Sequence, residues 1–377
     1  MSLSPSELAR YSRHLLLAEV GSAGQEQLRA ARVLIVGAGG LGSPAALYLA
    51  AAGIGRLGIV DGDRLELSNL QRQVLFETKD VAESKAAAAR EHLMALNPEI
   101  SVIAHVLDLK AANVGEILQQ YDVVVDGSDR LATRYLVNDA CVLFRKSLVS
   151  AAIYRFEGQA MSYVPGRGPC YRCLFPDASA GAVPSCAEAG VLGVLPGVLG
   201  AVQATEVIKI VLGLGEPLLG RLLTYDALEM QFREFSFERR PACAVCGDHP
   251  SISAPADLEV SCGPSVAGRR GVTATELAAL LTSRGQGGSN VQLIDVREVH
   301  EFGAGHLPAA VSIPLRELAG RVTDLTPDGA VVFVCRTGAR SAKALEIAAE
   351  HGVSHAAHLE GGLVAWVAEV DSSLQLA

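Results

Sequence analysis

Charge is scarce in this 377-residue sequence: Asp, Glu, Lys and Arg make up 19% of it, against 50% hydrophobic residues. So little charge beside so much apolar surface excludes a disordered chain and indicates a well-buried α/β protein. A basic excess is missing as well. The net charge is −9, which excludes a general nucleic-acid-binding surface, because that needs a basic face. No secretory signal is visible, since Arg10, Arg13 and His14 break the only apolar run near the start. The most apolar stretch, 191–214, makes a poor membrane span, because it holds several glycines, Pro196, Gln203, Glu206 and Lys209. It reads as a loop followed by a buried core helix. Internal repeats and low-complexity tracts are absent too. Together these absences place the chain in the cytoplasm, with neither a membrane nor a nucleic acid as partner. The length allows two or three domains. Eight cysteines are then expected as ligands or catalysts rather than structural disulfides.

What is present begins with a short β-branched run at 32–36, which leads into Gly37, Gly39, Gly40 and Gly42. An Ala-rich helical stretch covers 44–52, and a second strand at 57–60 ends on Asp61. Strand, Gly-rich turn, helix, strand and acid, in that order, form a nucleotide-binding βαβ unit. A further helix, about 84–96, starts at Ser84, a suitable N-cap. The run 121–129 reads as a buried parallel strand with acids at its C-terminal end, where α/β sheets bind ligands. From 251 to 270 the composition shifts to Ser, Pro, Ala and Gly, as in a linker. Afterwards a fresh alternation sets in, with helices at 275–284 and 339–350 and strands at 291–294 and 331–334. The expected fold class is α/β throughout: a Rossmann-like nucleotide-binding domain over 1–250, a linker over 251–270, and an α/β domain over 271–377.

A lone GxGxxG favours a dinucleotide dehydrogenase. The loop after Asp61 overturns that reading. A dehydrogenase needs only the acid, whereas here Asp63, Asn69, Arg72 and Gln73 follow within a dozen residues. An Arg beside a triphosphate stabilises charge as phosphorus is attacked. Lys85, in the first turn of the next helix, is close enough in sequence to reach the same anion. Asp129, at a strand end, is placed to hold Mg²⁺, which takes one or two carboxylates plus phosphate oxygens.

Between about Tyr11 and Gly247, the pattern DxDxxxxSNLxRQ, with SRHLLL before it and EAGV after it, resembles the ubiquitin-activating-enzyme superfamily. It is similar in particular to the bacterial molybdopterin-synthase and thiazole-synthesis adenylyltransferases. The resemblance implies ATP as substrate, with Asp61 on the ribose and Gly39 near the phosphates. Asn69, Arg72, Gln73 and Lys85 are then phosphate contacts, and Asp129 is the Mg²⁺ ligand. Arg13 reaches into a neighbouring subunit's site, which implies a homodimer. One position departs from the family: Arg130 stands where Asn usually follows the metal Asp.

Cys170 with Cys173 and Cys243 with Cys246 are two CxxC pairs about seventy residues apart. Each pair can place two thiolates on one tetrahedral ion, and both together close the coordination, which implies a structural Zn²⁺. A redox role is the competing idea, but neither pair opens a helix after a strand. The resembled family carries the same four ligands.

Cys335 follows the apolar run VVFV and opens the loop Cys335, Arg336, Thr337, Gly338, Ala339, Arg340 before a helix. Backbone N–H groups at a helix start, with an Arg, stabilise an anion and lower a thiol's pKa. Cysteine phosphatases and sulfurtransferases both use such loops. Phosphatases place Arg six positions after Cys, but position 341 is Ser and the Arg stands at 340. The smaller loop suits a persulfide. Over about 272–368 the residues around Asp295 and Arg297, Gly305 and His306, and Glu360 to Trp366 resemble rhodanese. Asp295 and Arg297 are expected as supports of the loop.

Joined, the halves imply a sequence of steps. A ubiquitin-fold sulfur carrier protein is adenylated at its C-terminal Gly, and a Cys335 persulfide then displaces AMP. The resulting acyl disulfide needs a second thiolate for release. Cys186 is the candidate, and in the resembled family the matching cysteine is assigned to acyl or disulfide intermediates. The sulfur donor is expected to be thiosulfate or a cysteine desulfurase. Arg72, Cys186, Cys335 and Arg340 are thus the expected catalytic set. Two rivals differ in class. A ubiquitin-like conjugation enzyme passing on a thioester needs further domains that this length does not hold, and a scaffold with an inactive rhodanese module would have lost Cys335.

Overall fold

The computed structural model describes residues 3–176, 190–258, 270–283, 291–325, 330–353 and 356–376. They form two compact units, divided at Val260 and Ser261.

The first unit is built on an eight-stranded sheet in the order β3-β2-β1-β4-β5-β6-β7-β8. Its strands are β1 Arg32–Val36, β2 Arg56–Val60, β3 Ser101–His105, β4 Val123–Asp126, β5 Ser147–Tyr154, β6 Glu157–Tyr163, β7 Arg221–Asp226 and β8 Gln231–Ser236. Pairing is parallel from β3 to β5 and antiparallel from β5 to β8. The parallel strands β1, β2 and β4 are buried almost throughout, as expected where helices cover both faces. Val36 pairs with Val60 on one side and Asp126 on the other, so the three strands end at one edge. The chain reverses its winding between β1 and β4, and such switch points are where doubly wound sheets bind ligands.

Leu195–Leu212 is the one described helix long and apolar enough to cross a membrane by length and composition. It packs on the helix Gly42–Ala52 and on β5 and β6, burying Leu195, Leu199, Gln203, Ala204 and Val207. Its Glu206 is also buried; the carboxylate accepts hydrogen bonds from Ser162 Oγ at 2.8 Å and Leu218 N–H at 2.6 Å, and pairs with Lys209. The three strands expected from the apolar runs, 32–36, 57–60 and 121–129, correspond to β1, β2 and β4, and β3, β5, β6, β7 and β8 are added to them. Of the added strands, β8 is exposed along its whole length and so carries no apolar run.

The second unit holds a parallel five-stranded sheet in the order β11-β10-β12-β13-β9. Its strands are β9 Arg270–Val272, β10 Val291–Asp295, β11 Val311–Ser312, β12 Ala330–Val334 and β13 Ala356–Leu359. Alternation along β12 sends Val331 and Phe333 into one core and Val332 and Val334 into the other, where Trp366 lies. The helices Ala274–Ser283 and Ala339–Glu350 fall within a residue of their expected bounds.

The stretch read as linker is partly committed. Ile252 and Leu258 pack against cores of the first unit, Asp257 accepts from the Ala111 N–H at 2.8 Å, and β9 begins at Arg270.

Candidate functional sites

The turn after β1 needs glycine for steric reasons. Gly37 has φ +88°, and a Cβ on Gly42 would run into the Gly37 carbonyl. Through this turn the helix Gly42–Ala52 starts against Gly127, just past β4, so its N-terminal N–H groups face the switch point. Asp61, at the end of β2, spans the loop: it accepts from Ala38 N–H at 2.8 Å and Asp63 N–H at 2.9 Å. Burial pushes its carboxyl up, opposed by the Asp63 N–H, the Lys85 charge and the Ala38 N–H. Lys85 is buried and donates from Nζ to Asp63 Oδ2 at 3.0 Å, so Asp63 links it to Asp61.

Asn69 is buried and accepts from Glu66 N–H at 3.2 Å, closing a 3₁₀ turn. That turn carries Arg72 and Gln73 against the glycines. Gln73 Nε2 lies 3.8 Å, and Arg72 Cδ 3.6 Å, from where a Cβ would stand on Gly39 and Gly40 respectively. Buried Gln73 Oε1 has no partner among the described residues, and such an orphan calls for a ligand or water. Arg72 donates to Ser68 O at 3.1 Å. Gly39, Asp61, Asn69, Arg72, Gln73 and Lys85 are therefore gathered round one turn. Asp129 and Arg13 are exposed, one after β4 and the other on the short helix Ser12–Leu15.

A second layer was not foreseen. Asp126 is buried and accepts from Ser128 N–H at 3.0 Å, Ser128 Oγ at 2.6 Å and Ser150 Oγ at 3.0 Å. Arg134 donates to Ser128 O at 2.8 Å, and Gln203 to Asp126 O at 2.8 Å. These bonds fix the turn that ends in Asp129. The signal available in the sequence was the first acid of the DGSD run, at Asp126.

The Sγ atoms of Cys170, Cys173, Cys243 and Cys246 all lie within 4.8 Å of one another, with Cys170 to Cys243 at 3.7 Å and Cys173 to Cys246 at 3.3 Å. A tetrahedral zinc thiolate site has S–S edges of about 3.8 Å, so the set fits such an ion. Asn138 accepts from Tyr171 N–H at 2.9 Å, and Asp139 takes a two-pronged bond from Arg172 at 2.7 and 2.8 Å. Both partners come from the loop between the first two cysteines. Cys141 is a core residue, and burial drives its thiol well up.

In the second unit Cys335 directly follows β12 and is buried. Its Sγ accepts from Gly338 N–H at 3.2 Å and Ser341 N–H at 3.4 Å. Gly338 has φ +96°, which turns the loop into the helix Ala339–Glu350. Leu363 and Val364 N–H groups tie Cys335 O and Arg336 O from the far side at 2.8 and 3.0 Å. A Cβ on Gly362 would strike both carbonyls. Fully buried Asp295 receives Arg297 in a fork, with Nη2 to Oδ2 at 2.7 Å, and Arg297 also donates to Gly305 O at 2.6 Å. The pair ties the end of β10 to Gly305, just after the helix Val299–Ala304. Arg340 is committed elsewhere: its two Nη atoms donate to Glu301 at 2.6 and 2.8 Å. Cys186 and Cys262 lie outside the described residues.

Burial alone would raise the Glu301 carboxyl, but the Arg340 fork, the Glu298 N–H and the Arg297 charge bring it down to about 2. A depressed acid contributes stability above its unfolded value and loses it as pH falls through the folded one. The melting temperature of wild type minus Glu301→Gln is therefore expected to stay level above pH 4.5 and to shrink between 4.5 and about 2. A difference that grew on acidification would contradict the pairing.

Residues 11–245, which contain the Gly-rich turn and three of the four clustered cysteines, match the ThiF family. The chain belongs to the ThiF family. Residues 273–369 match the rhodanese-like domain, and the chain is an enzyme of adenylyl and sulfur transfer. It is 45% identical over 99% of its length to a probable adenylyltransferase/sulfurtransferase, MoeZ, of Mycobacterium tuberculosis, covering 96% of that protein. A sulfur carrier protein adenylyltransferase of Thermus thermophilus is 54% identical over 70% of this chain and 99% of its own length. The mosquito Aedes aegypti has an adenylyltransferase and sulfurtransferase MOCS3 at 41% identity over 98% of this chain and 89% of that one. Among solved structures, E. coli MccB with ATP aligns at TM-score 0.57 and 29% identity, over 65% of this chain and 75% of that chain.

Proposed function

We propose that the chain adenylates the C-terminal carboxylate of a ubiquitin-fold sulfur carrier protein and converts it to a thiocarboxylate. The observation that carries this reading is the presence, in one chain, of an orphaned polar turn at a nucleotide switch point and a buried cysteine in a loop of N–H donors. Its relatives' names point the same way: one is called a sulfur carrier protein adenylyltransferase, and MccB was solved with ATP.

ATP binds at the β1 turn, with its ribose on Asp61 and its phosphates on the helix N-terminus, Gly39, Asn69, Gln73 and Lys85. Asp129 would hold a Mg²⁺, which would neutralise phosphate charge. The carrier carboxylate attacks the α-phosphorus and pyrophosphate leaves, with Arg72 balancing the charge that builds up. Arg13 completes the site of a partner subunit in a homodimer. In the second unit a donor, thiosulfate or a cysteine desulfurase persulfide, leaves its sulfane sulfur on Cys335. That sulfur attacks the acyl adenylate and AMP leaves. The Cys186 thiolate then attacks Cys335 Sγ, forming a Cys186–Cys335 disulfide and releasing the carrier thiocarboxylate. The product supplies sulfur to molybdopterin, thiamine, cysteine or thiolated tRNA in the cytoplasm. ATP–pyrophosphate exchange tests the first half. Exchange that requires a Gly-Gly-ended carrier is expected, and exchange that ignores the carrier would contradict the reading.

Cys170, Cys173, Cys243 and Cys246 would hold a structural Zn²⁺, four thiolates filling a tetrahedral ion's coordination. One zinc per chain is expected by elemental analysis, and Cys243→Ser should lower both the zinc content and the melting temperature. A wild type without zinc, or a variant that melts unchanged, would remove the metal from the account.

A further inference from the structure

Behind Cys335 stands a histidine with no part in the scheme above. Ser341, fully buried on the first turn of Ala339–Glu350, places Oγ 3.6 Å from Cys335 Sγ and 3.4 Å from His358 Nδ1. His358 comes from β13, where it pairs with Phe333 of β12 and Gly271 of β9. Three elements thus bring Cys335, Ser341 and His358 into one line.

The Ser341 hydroxyl has a single proton, and it faces two acceptors, the Gly338 carbonyl and Cys335 Sγ, with His358 Nδ1 also beside it. With Cys335 as a neutral thiol, S–H points at Ser341 Oγ while Ser341 O–H donates to the Gly338 carbonyl at 2.9 Å. When Cys335 carries negative charge, the better use of that proton is toward sulfur, since a hydrogen bond to a charged acceptor is the stronger one. Turning it leaves a Ser341 Oγ lone pair facing His358. An Nδ1–H on His358 then donates to that oxygen and favours the turned hydroxyl.

We propose that His358 is a positioning residue for the sulfurtransferase step: through Ser341 it adds a third hydrogen bond to the Cys335 thiolate and persulfide, beside the Gly338 and Ser341 N–H groups. This rests on Cys335 as the sulfur carrier. In the step concerned, the Cys335 thiolate attacks the sulfane sulfur of thiosulfate. A new S–S bond forms, the old one breaks, and sulfite leaves with its electron pair. The Cys335 proton has already gone to solvent. His358 takes up no proton; it only donates a hydrogen bond.

The test is first-turnover sulfite release from thiosulfate by the full-length wild type, His358→Leu, His358→Asn, Ser341→Ala and the double variant Ser341→Ala/His358→Leu, with melting curves as folding control. His358→Leu should be slower by about tenfold, the worth of one hydrogen bond to a charged group. His358→Asn, which keeps an N–H donor but is no base, should return to within about twofold of wild type. In the Ser341→Ala background His358→Leu should cost nothing more. Wild-type rates in His358→Leu, no rescue by Asn, or additive losses in the double variant would each overturn the proposal. If His358→Leu does not fold, a His358→Asn variant that folds but is slow does so as well. A wild type that releases no sulfite would instead refute Cys335 as the carrier.

Discussion

Arg72→Ala is expected to lower carrier-dependent ATP–pyrophosphate exchange by about 100- to 1,000-fold, the range for removing one preorganised charge-stabilising donor. The size follows from where Arg72 sits. Its stem runs along the Gly-rich turn at the Gly40 position, and among the described residues its guanidinium donates to the Ser68 carbonyl. A guanidinium has five N–H donors, so this bond leaves others that can meet phosphate oxygens. Loss of the side chain leaves Asp61, Asn69 and Lys85 in their own bonds, so the fold and nucleotide binding should largely survive. The second unit has its own core and sheet, so sulfite release from thiosulfate should stay at the wild-type rate. Loss of both activities in a folded Arg72→Ala protein would contradict two separable sites.

Cys335→Ala gives the complementary result, with complete loss of persulfide and of thiocarboxylate while exchange continues unchanged. No neighbour can substitute, because the N–H groups of Gly338 and Ser341 converge on Sγ of this residue alone. Cys186→Ala should fail later. Carrier then accumulates on Cys335 as an acyl disulfide, seen by intact mass without reductant and released with it. If Cys186→Ala made thiocarboxylate at the wild-type rate without reductant, Cys186 would have no catalytic part, and the adenylation and persulfide assignments would stand.

The sequence was most informative where chemistry and fold impose the same residue. Gly37 and Gly42 are required by a turn that no side chain can enter, and the same turn is the proposed phosphate site, so pattern and place coincide. The four cysteines were legible for a similar reason, since spacing alone pairs them and the fold brings the pairs together. What stayed hidden depends on contacts across long sequence gaps. Glu301 meets Arg340 from 39 residues away, and no local pattern joins them. Arg340, expected to stabilise the sulfur, is found paired with that acid. Asp126 looked like one of several strand-end acids, and only Ser150 and Gln203, from β5 and a distant helix, show it as a structural anchor. Strands β3 and β5 to β8 were missed because their residues are not uniformly apolar, and for β6 to β8 antiparallel pairing with a neighbour rather than hydrophobicity makes them strands.

The central claim is that one chain both activates a carrier carboxylate and puts sulfur on it. Intact-mass analysis of a Gly-Gly-ended carrier, after incubation with the full-length enzyme, ATP, Mg²⁺, thiosulfate and reductant, tests it most directly. The account predicts a carrier in which one oxygen has been exchanged for sulfur, formed only when both ATP and thiosulfate are present and lost in Arg72→Ala and in Cys335→Ala. A carrier that is adenylated yet gains no sulfur, or gains it with Cys335→Ala, would contradict it.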